Sequence, residues 1–212
     1  MFLLDFLFPK RCLGCKKEGK YLCDLCLSKV RKARPTYLGP KIESNLNGLV
    51  SVFRYEGVVK KAILTMKYRF SFDIASELAE AVAQQLLGMK KTLPRNPILT
   101  VVPMHDLRKN WRGFNQSEEI GKLVARKMGW RYFPELLLKT TNTTSQVTLK
   151  RGDRLKNVYG SFVFNPHYLS QPMPKTVVIF DDVFTTGATL KEVCRVLKQG
   201  GITNVWGITV AR

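Results

Sequence analysis

Apolar residues recur along this chain in two rhythms. Residues 98–102 (ILTVV) and 176–180 (TVVIF) are short runs, apolar at almost every position, as in strands covered on both faces. Residues 49–55 (LVSVFRY) and 204–210 (NVWGITV) are two more β-rich runs. Elsewhere the period lengthens. Over residues 73–87, Ile74, Leu78, Val82 and Leu86 repeat every four positions. Asp73 can cap that segment and Gly88 can end it, so the spacing predicts a helix. Asn115 opens a second helix with Glu118 three residues on, a capping-box arrangement. Ile120, Leu123 and Val124 face inward there, and Gly129 stops it. A third helix runs from about Ala188 to Gln199 and ends at Gly200-Gly201. Its Leu190, Val193, Cys194 and Leu197 form one stripe, so Cys194 reads as a buried core thiol. Alternation of strands and helices predicts an α/β fold: a parallel sheet with helices on both faces. In such sheets ligands bind where strands end and helices begin.

The chain has 212 residues, of which 45% are hydrophobic, enough for a packed core. No apolar run approaches the roughly 20 residues that span a bilayer, so no membrane insertion is expected and the reading is cytoplasmic. Residues 1–9 (MFLLDFLFP) are greasy but too short for a signal peptide; they read as a short helix or strand on the body. The formal net charge of +19 bears on partners rather than on fold. Nucleic acid is the usual partner of such a surface, with polyanionic small molecules and anionic lipid heads as competitors. The bland alternative is a generally basic surface. The excess is spread: residues 1–34 hold nine basic residues against three acidic, and Arg108, Lys109, Arg112, Lys139, Lys150, Arg151, Arg154 and Lys156 follow.

Cys12, Cys15, Cys23 and Cys26 form C-x2-C-x7-C-x2-C. Two close pairs suit a tetrahedral ion, each pair offering two thiolates on one tight turn. Few large apolar residues lie around them, so the segment needs a cross-link. Structural Zn2+ is the expected one; disulfides and an iron–sulfur cluster are the alternatives. The chain then divides into a small four-cysteine module over 1–40 and an α/β domain over 41–212.

The sharpest signal is VVIFDDVFTTGAT, residues 177–189. A buried strand ends, two carboxylates follow (Asp181, Asp182), and Thr185, Thr186, Gly187, Ala188 and Thr189 open a helix. A helix N-terminus offers free N–H groups and the positive end of its dipole to an anion. The threonines add hydroxyl donors. The two acids suit a neighbouring diol, or Mg2+. A phosphate beside a vicinal diol describes a ribose 5-phosphate. A Walker-B-like strand is the competing reading, but no GxxxxGK[ST] partner is present; a ligand-free capped helix is another.

These thirteen residues resemble the PRPP-binding signature of type I phosphoribosyltransferases. The resemblance implies that fold, with Asp181 and Asp182 on the ribose hydroxyls and Thr185, Thr186, Gly187, Ala188 and Thr189 around the 5-phosphate. Further segments narrow it. Val102-Pro103-Met104-His105, then Arg108 and Trp111-Arg112-Gly113-Phe114-Asn115-Gln116, are similar to the VPxH…RxRGFNQ segment of ComF-family proteins. Thr144, Gln146, Leu149, Arg154, Asn157-Val158 and Phe162 continue the likeness, as do Phe8-Pro9, the four cysteines, Tyr55-Glu56-Gly57 and Lys67-Tyr68. Asp106, where proline is common, and Asn110-Trp111 depart from it. By this resemblance the cysteine module is zinc-ribbon-like, and Pro103, Met104 and His105 form a pyrophosphate loop. A mobile loop over 139–157, with Gln146, Lys150, Arg151 and Arg154, would close over the site; an ordinary solvated hairpin is the alternative there. Mg2+ would accompany PRPP, keeping mostly water ligands. ComF proteins are linked to natural competence, so single-stranded DNA and other competence or recombination proteins are the implied partners. Two functions stay open: a PRPP-binding factor of transformation, and a transferase passing ribose 5-phosphate to an unidentified nitrogen acceptor in nucleotide metabolism or salvage.

Overall fold

A computed structural model describes residues 9–33, 46–69, 71–140, 158–170 and 172–212, with the side chain of residue 108 outside that set. The expectations for residues 1–8 and for Gln146, Lys150, Arg151 and Arg154 therefore lie outside the described residues. The elements are, in order, α1 Asp24–Ser28, β1 Gly48–Phe53, α2 Gly57–Tyr68, α3 Phe72–Gly88, β2 Ile98–Val101, α4 Asp106–Arg112, α5 Gln116–Met128, β3 Arg131–Tyr132, β4 Leu137–Lys139, β5 Phe162–Phe164, β6 Thr176–Val183, α6 Ala188–Gln199 and β7 Asn204–Ala211.

Five strands form one sheet in the order β1-β7-β6-β2-β3, every neighbouring pair parallel. Strand side chains alternate faces. Val178 and Phe180 of β6 accordingly join one core with α2, α3 and α5, while Val177 and Ile179 join another with α6. Both faces are covered, which is why the strands read as continuous apolar runs rather than alternating ones. Phe180, Leu78 and Leu86 are fully enclosed, and each such side chain contributes roughly 1.5–3 kcal/mol through burial. Gly121 lets α5 lie close on the sheet: a Cβ there would stand 2.8 Å from Val101 Cγ1 and 3.2 Å from the Phe180 ring. That close seating brings the start of α5 to the end of β6. The fold is the expected type I phosphoribosyltransferase-like α/β sandwich. Cys194 is fully buried in the α6 core, and burial pushes its thiol up to about 11.

Several boundaries differ from the sequence reading. Ser71 caps α3 by accepting from the Ile74 N–H, and Asp73 sits in the first turn. Asn115 caps α5 through the Ser117 N–H, but the Glu118 carboxylate pairs with Lys109 at 3.1 Å. β6 continues past Phe180 to Val183, because its ladder with β7 runs on through Asp181↔Thr209 and Val183↔Ala211. Helices α2 and α4 are additional. Among the described residues, β4 and β5 pair antiparallel as a separate two-stranded ribbon. No helix among the described residues is long and apolar enough to cross a membrane.

Candidate functional site

The four cysteines converge. Their sulfurs all lie within 4.8 Å of one another, and Cys15 and Cys23 stand 3.6 Å apart, far beyond a disulfide bond. Both turns are shaped by sulfur: the Gly14 N–H donates to Cys12 Sγ and the Cys26 N–H to Cys23 Sγ, each at 3.4 Å. A side chain at position 14 would meet Cys26 Sγ at 2.6 Å, so glycine is needed there. Packed together, the thiols conflict. Burial raises Cys12, but backbone N–H donors prevail and hold it at about 6; burial and the three neighbours push Cys26 up to about 12. A divalent cation would remove that conflict, and the donor set can hold a metal ion. The knot is seated on the larger fold. Glu77 of α3 accepts from the N–H groups of Tyr21 at 3.2 Å and Leu22 at 2.7 Å. Cys12, Leu22 and Val30 share a core with α2 and α3.

The second site lies at the carboxyl ends of β6 and β2. These strands are neighbours, with Val101 opposite Phe180 and the Val102 N–H donating to Phe180 O at 3.0 Å. Residues Pro103, Met104 and His105 thus start beside Asp181 and Asp182. The His105 ring caps α4: its Nδ1 accepts from the Leu107 N–H at 3.2 Å. Only Nε2 is then left to donate to an anion.

Asp181 Oδ1 accepts from the Ser117 hydroxyl at 2.9 Å and from the Asp182 N–H at 2.8 Å. Asp182 Oδ2 is 4.0 Å from Lys67 Nζ. Burial pushes the Asp181 carboxyl up to about 7, and the charge of Asp182 pushes the same way. The two donors and Lys67 oppose them. Tyr55 is also raised, by burial and then by the charge of Asp182. After the acids the chain turns through Thr185 and Thr186 into α6. Gly187 takes φ +80° as the helix N-cap and provides no capping side chain. The Ala188 N–H meets Thr186 Oγ1 at a long 3.4 Å. The arrangement is a helix N-terminus with its dipole directed at a threonine-lined turn, next to two half-buried carboxylates with different partners.

Compared with known proteins, residues 74–211 match the phosphoribosyl transferase domain family. "Competence protein F" of Haemophilus influenzae is 26% identical over 207 residues, covering 94% of this chain and 90% of that protein. The chain belongs to the ComF family. "DNA utilization protein YhgH" of Escherichia coli O6:H1 is 30% identical over 161 residues, covering 74% of this chain and 68% of that protein. "Competence protein ComFC" of Streptococcus pneumoniae is 24% identical over 162 residues, 76% of this chain and 67% of that protein.

Within this ComF chain, Asp181, Asp182, Thr185, Thr186, Gly187, Ala188 and Thr189 form one strand–turn–helix unit, with Pro103, Met104 and His105 alongside. Cys12, Cys15, Cys23 and Cys26 form the separate knot. The sequence reading missed three site residues. Ser117 holds Asp181 and Lys67 faces Asp182, while Asn115 Nδ2 donates to Val102 O at 3.1 Å and so ties α5 to the segment that precedes Pro103. Asn115 and Lys67 do lie within the ComF-like segments NWRGFNQ and KY, which was the available signal.

Proposed function

We propose that this ComF protein binds PRPP with Mg2+ at the carboxyl edge of its sheet and acts in natural competence, handling incoming single-stranded DNA. The observation that carries the reading is the β6–α6 turn, where two carboxylates at the end of β6 are followed within five residues by a helix start whose N-cap, Gly187, offers no side chain. Thr185, Thr186, Gly187, Ala188 and Thr189 take the 5-phosphate through N–H and hydroxyl donors, because the helix dipole favours an anion there. Asp181 and Asp182 accept from the two ribose hydroxyls. Asp181 must be ionised to do this well, and Ser117 and Lys67 bias it toward that state. Pro103, Met104 and His105 lie where the pyrophosphate extends. Mg2+ bound with the substrate would offset the pyrophosphate charge while keeping most of its water. The knot of Cys12, Cys15, Cys23 and Cys26 holds structural Zn2+: four thiolates close the coordination shell and leave no position for a reactant. The names of the relatives, "Competence protein F" and "DNA utilization protein", support the biological setting, as does the charge of +19.

Mg2+ with PRPP is expected to raise the thermal midpoint by mass action. The double variant Asp181→Asn, Asp182→Asn is expected to lose that rise; a full rise in the double variant would reject the ribose assignment. Turnover is the second reading, favoured by the pyrophosphate-loop residues standing beside the acids. Pyrophosphate release from labelled PRPP with a panel of nitrogen bases, ammonia donors and single-stranded oligonucleotides tests it.

A further inference from the structure

A cavity lies at the same edge of the sheet. It has a volume of about 400 Å³ and, among the described residues, is lined by Arg31, Lys32, Ala33, Arg54 and Arg212. Four of those five residues are cations and none is an acid. Its walls are fastened by backbone hydrogen bonds. Lys32 bridges Phe53, the Arg54 N–H donates to Arg31 O at 2.8 Å, the Arg212 N–H donates to Phe53 O at 3.0 Å, and the Tyr55 N–H donates to Arg212 O at 2.8 Å. Like-charged side chains are therefore held together by the fold rather than scattered along a tail. Glu56 engages Arg31 through both oxygens, at 3.0 and 2.8 Å, and orients that guanidinium.

The cavity adjoins the turn proposed for the sugar phosphate. Arg54 follows β1, Arg212 follows β7 and Phe184 follows β6, and these strands are parallel neighbours, so all three residues leave one edge. The Arg212 guanidinium lies over the Phe184 ring, 6.0 Å from its centroid, and Phe184 directly precedes Thr185. A volume of this size falls in the range of small-ligand sites. Two edges of the Arg31 fork, Nε and Nη2, are taken by Glu56, so Lys32 and the guanidinium of Arg54 are the lining groups suited to phosphate oxygens. Among the described residues the cavity lining includes no aromatic ring on which a base could stack.

We propose that this cavity is a phosphate-binding site for a second ligand seated beside the sugar phosphate: a nucleotide, free or as one unit of a single strand. The inference rests on the reading of the β6–α6 turn given above. It recognises phosphate and not base identity. The cavity thereby brings a nucleotide's anionic group next to the ribose site and leaves its base to other surfaces.

The test compares three proteins: the wild type, Lys32→Ala with Arg54→Ala, and a control pair, Lys90→Ala with Lys91→Ala, on an exposed segment before β2. Binding of a labelled oligothymidylate is followed by anisotropy as salt is raised. Each phosphate contact on a single strand contributes about 0.7 to the log–log salt slope, so the cavity variant should lose about 1.4. The control pair should keep the wild-type slope. Thymidine monophosphate is the second probe. Competition by it marks a free nucleotide as sufficient, and competition only by the oligomer marks the strand; both support the cavity. An unchanged slope in the cavity variant, an equal loss in the control pair, or no binding by the wild type would overturn the proposal. The thermal rise with Mg2+ and PRPP should persist in the cavity variant. If that rise is missing from the wild type as well, it is the sugar-phosphate reading that fails, independently of the slopes.

Discussion

Replacing Asp181 with asparagine should stabilise the ligand-free protein, by an amount that grows as pH rises from about 4 to about 7 and then levels off. The Asp181 carboxyl is displaced from its ordinary 3.8 to about 7, chiefly by burial and then by the charge of Asp182. The folded state therefore holds this proton more tightly than the unfolded chain does. The resulting stability is fully present below pH 3.8 and is lost as pH rises through about 7. The full displacement caps the cost of ionising Asp181 within the fold at about 4 kcal/mol at pH 8. The residue keeps a partly exposed edge, so solvent reduces the cost to about 1.5 kcal/mol. Asparagine has nearly the same shape. Its amide oxygen can still accept from the Ser117 hydroxyl and the Asp182 N–H, so little is lost in exchange. For a chain of this length 1.5 kcal/mol corresponds to about 3–6 °C in melting temperature. Thermal melts of both proteins without PRPP or Mg2+, from pH 4 to pH 8, should show the gap opening as pH rises. A gap independent of pH, or a variant less stable than wild type at pH 8, would refute the electrostatic reasoning.

Ser117→Ala removes a hydroxyl bonded to a carboxylate, an interaction of about 1.5–3 kcal/mol. Calorimetric titration at pH 7 should show roughly tenfold weaker binding of Mg2+ with PRPP, and the deficit should shrink at higher pH as Asp181 ionises regardless; an equal deficit at every pH would leave Ser117 a packing role only. Gly187→Ala places a Cβ 3.0 Å from the Phe184 ring at φ +80°, so it should cost about 1–2 kcal/mol in denaturant melts and weaken PRPP binding, with wild-type values contradicting the tight turn. Elemental analysis should give about one zinc per chain, and a strong chelator should lower the melting temperature because Cys12 and Leu22 belong to the shared core; iron with visible colour would contradict the zinc assignment.

Much of the site was legible because its chemistry is contiguous. Asp181, Asp182 and the threonine turn sit on one strand–turn–helix unit, and the cysteines declare themselves by spacing. What escaped the sequence depends on packing between distant segments. Ser117 meets Asp181 across 64 residues of chain, a contact that exists because β2 lies beside β6 and Gly121 lets α5 approach. Helix α2 buries Val58, Val59, Ala62, Ile63 and Met66, a readable helical stripe partly masked by Lys60, Lys61 and Lys67. The end of β6 was misplaced because charged side chains interrupt the apolar run while the backbone ladder continues. Glu77 gives no local sign that it anchors the cysteine knot. The cluster of Arg31, Lys32, Arg54 and Arg212 exists only once β1 and β7 are side by side, so four unremarkable basic residues carried no signal in the sequence.

A crystal structure of the protein with PRPP and Mg2+ would locate the sugar phosphate directly. The 5-phosphate should lie within hydrogen-bond distance of the N–H and hydroxyl groups of Thr185, Thr186, Gly187, Ala188 and Thr189, with the ribose hydroxyls on Asp181 and Asp182. A ligand bound elsewhere, with the Ser117–Asp181 and Lys67–Asp182 contacts unchanged, would contradict that assignment.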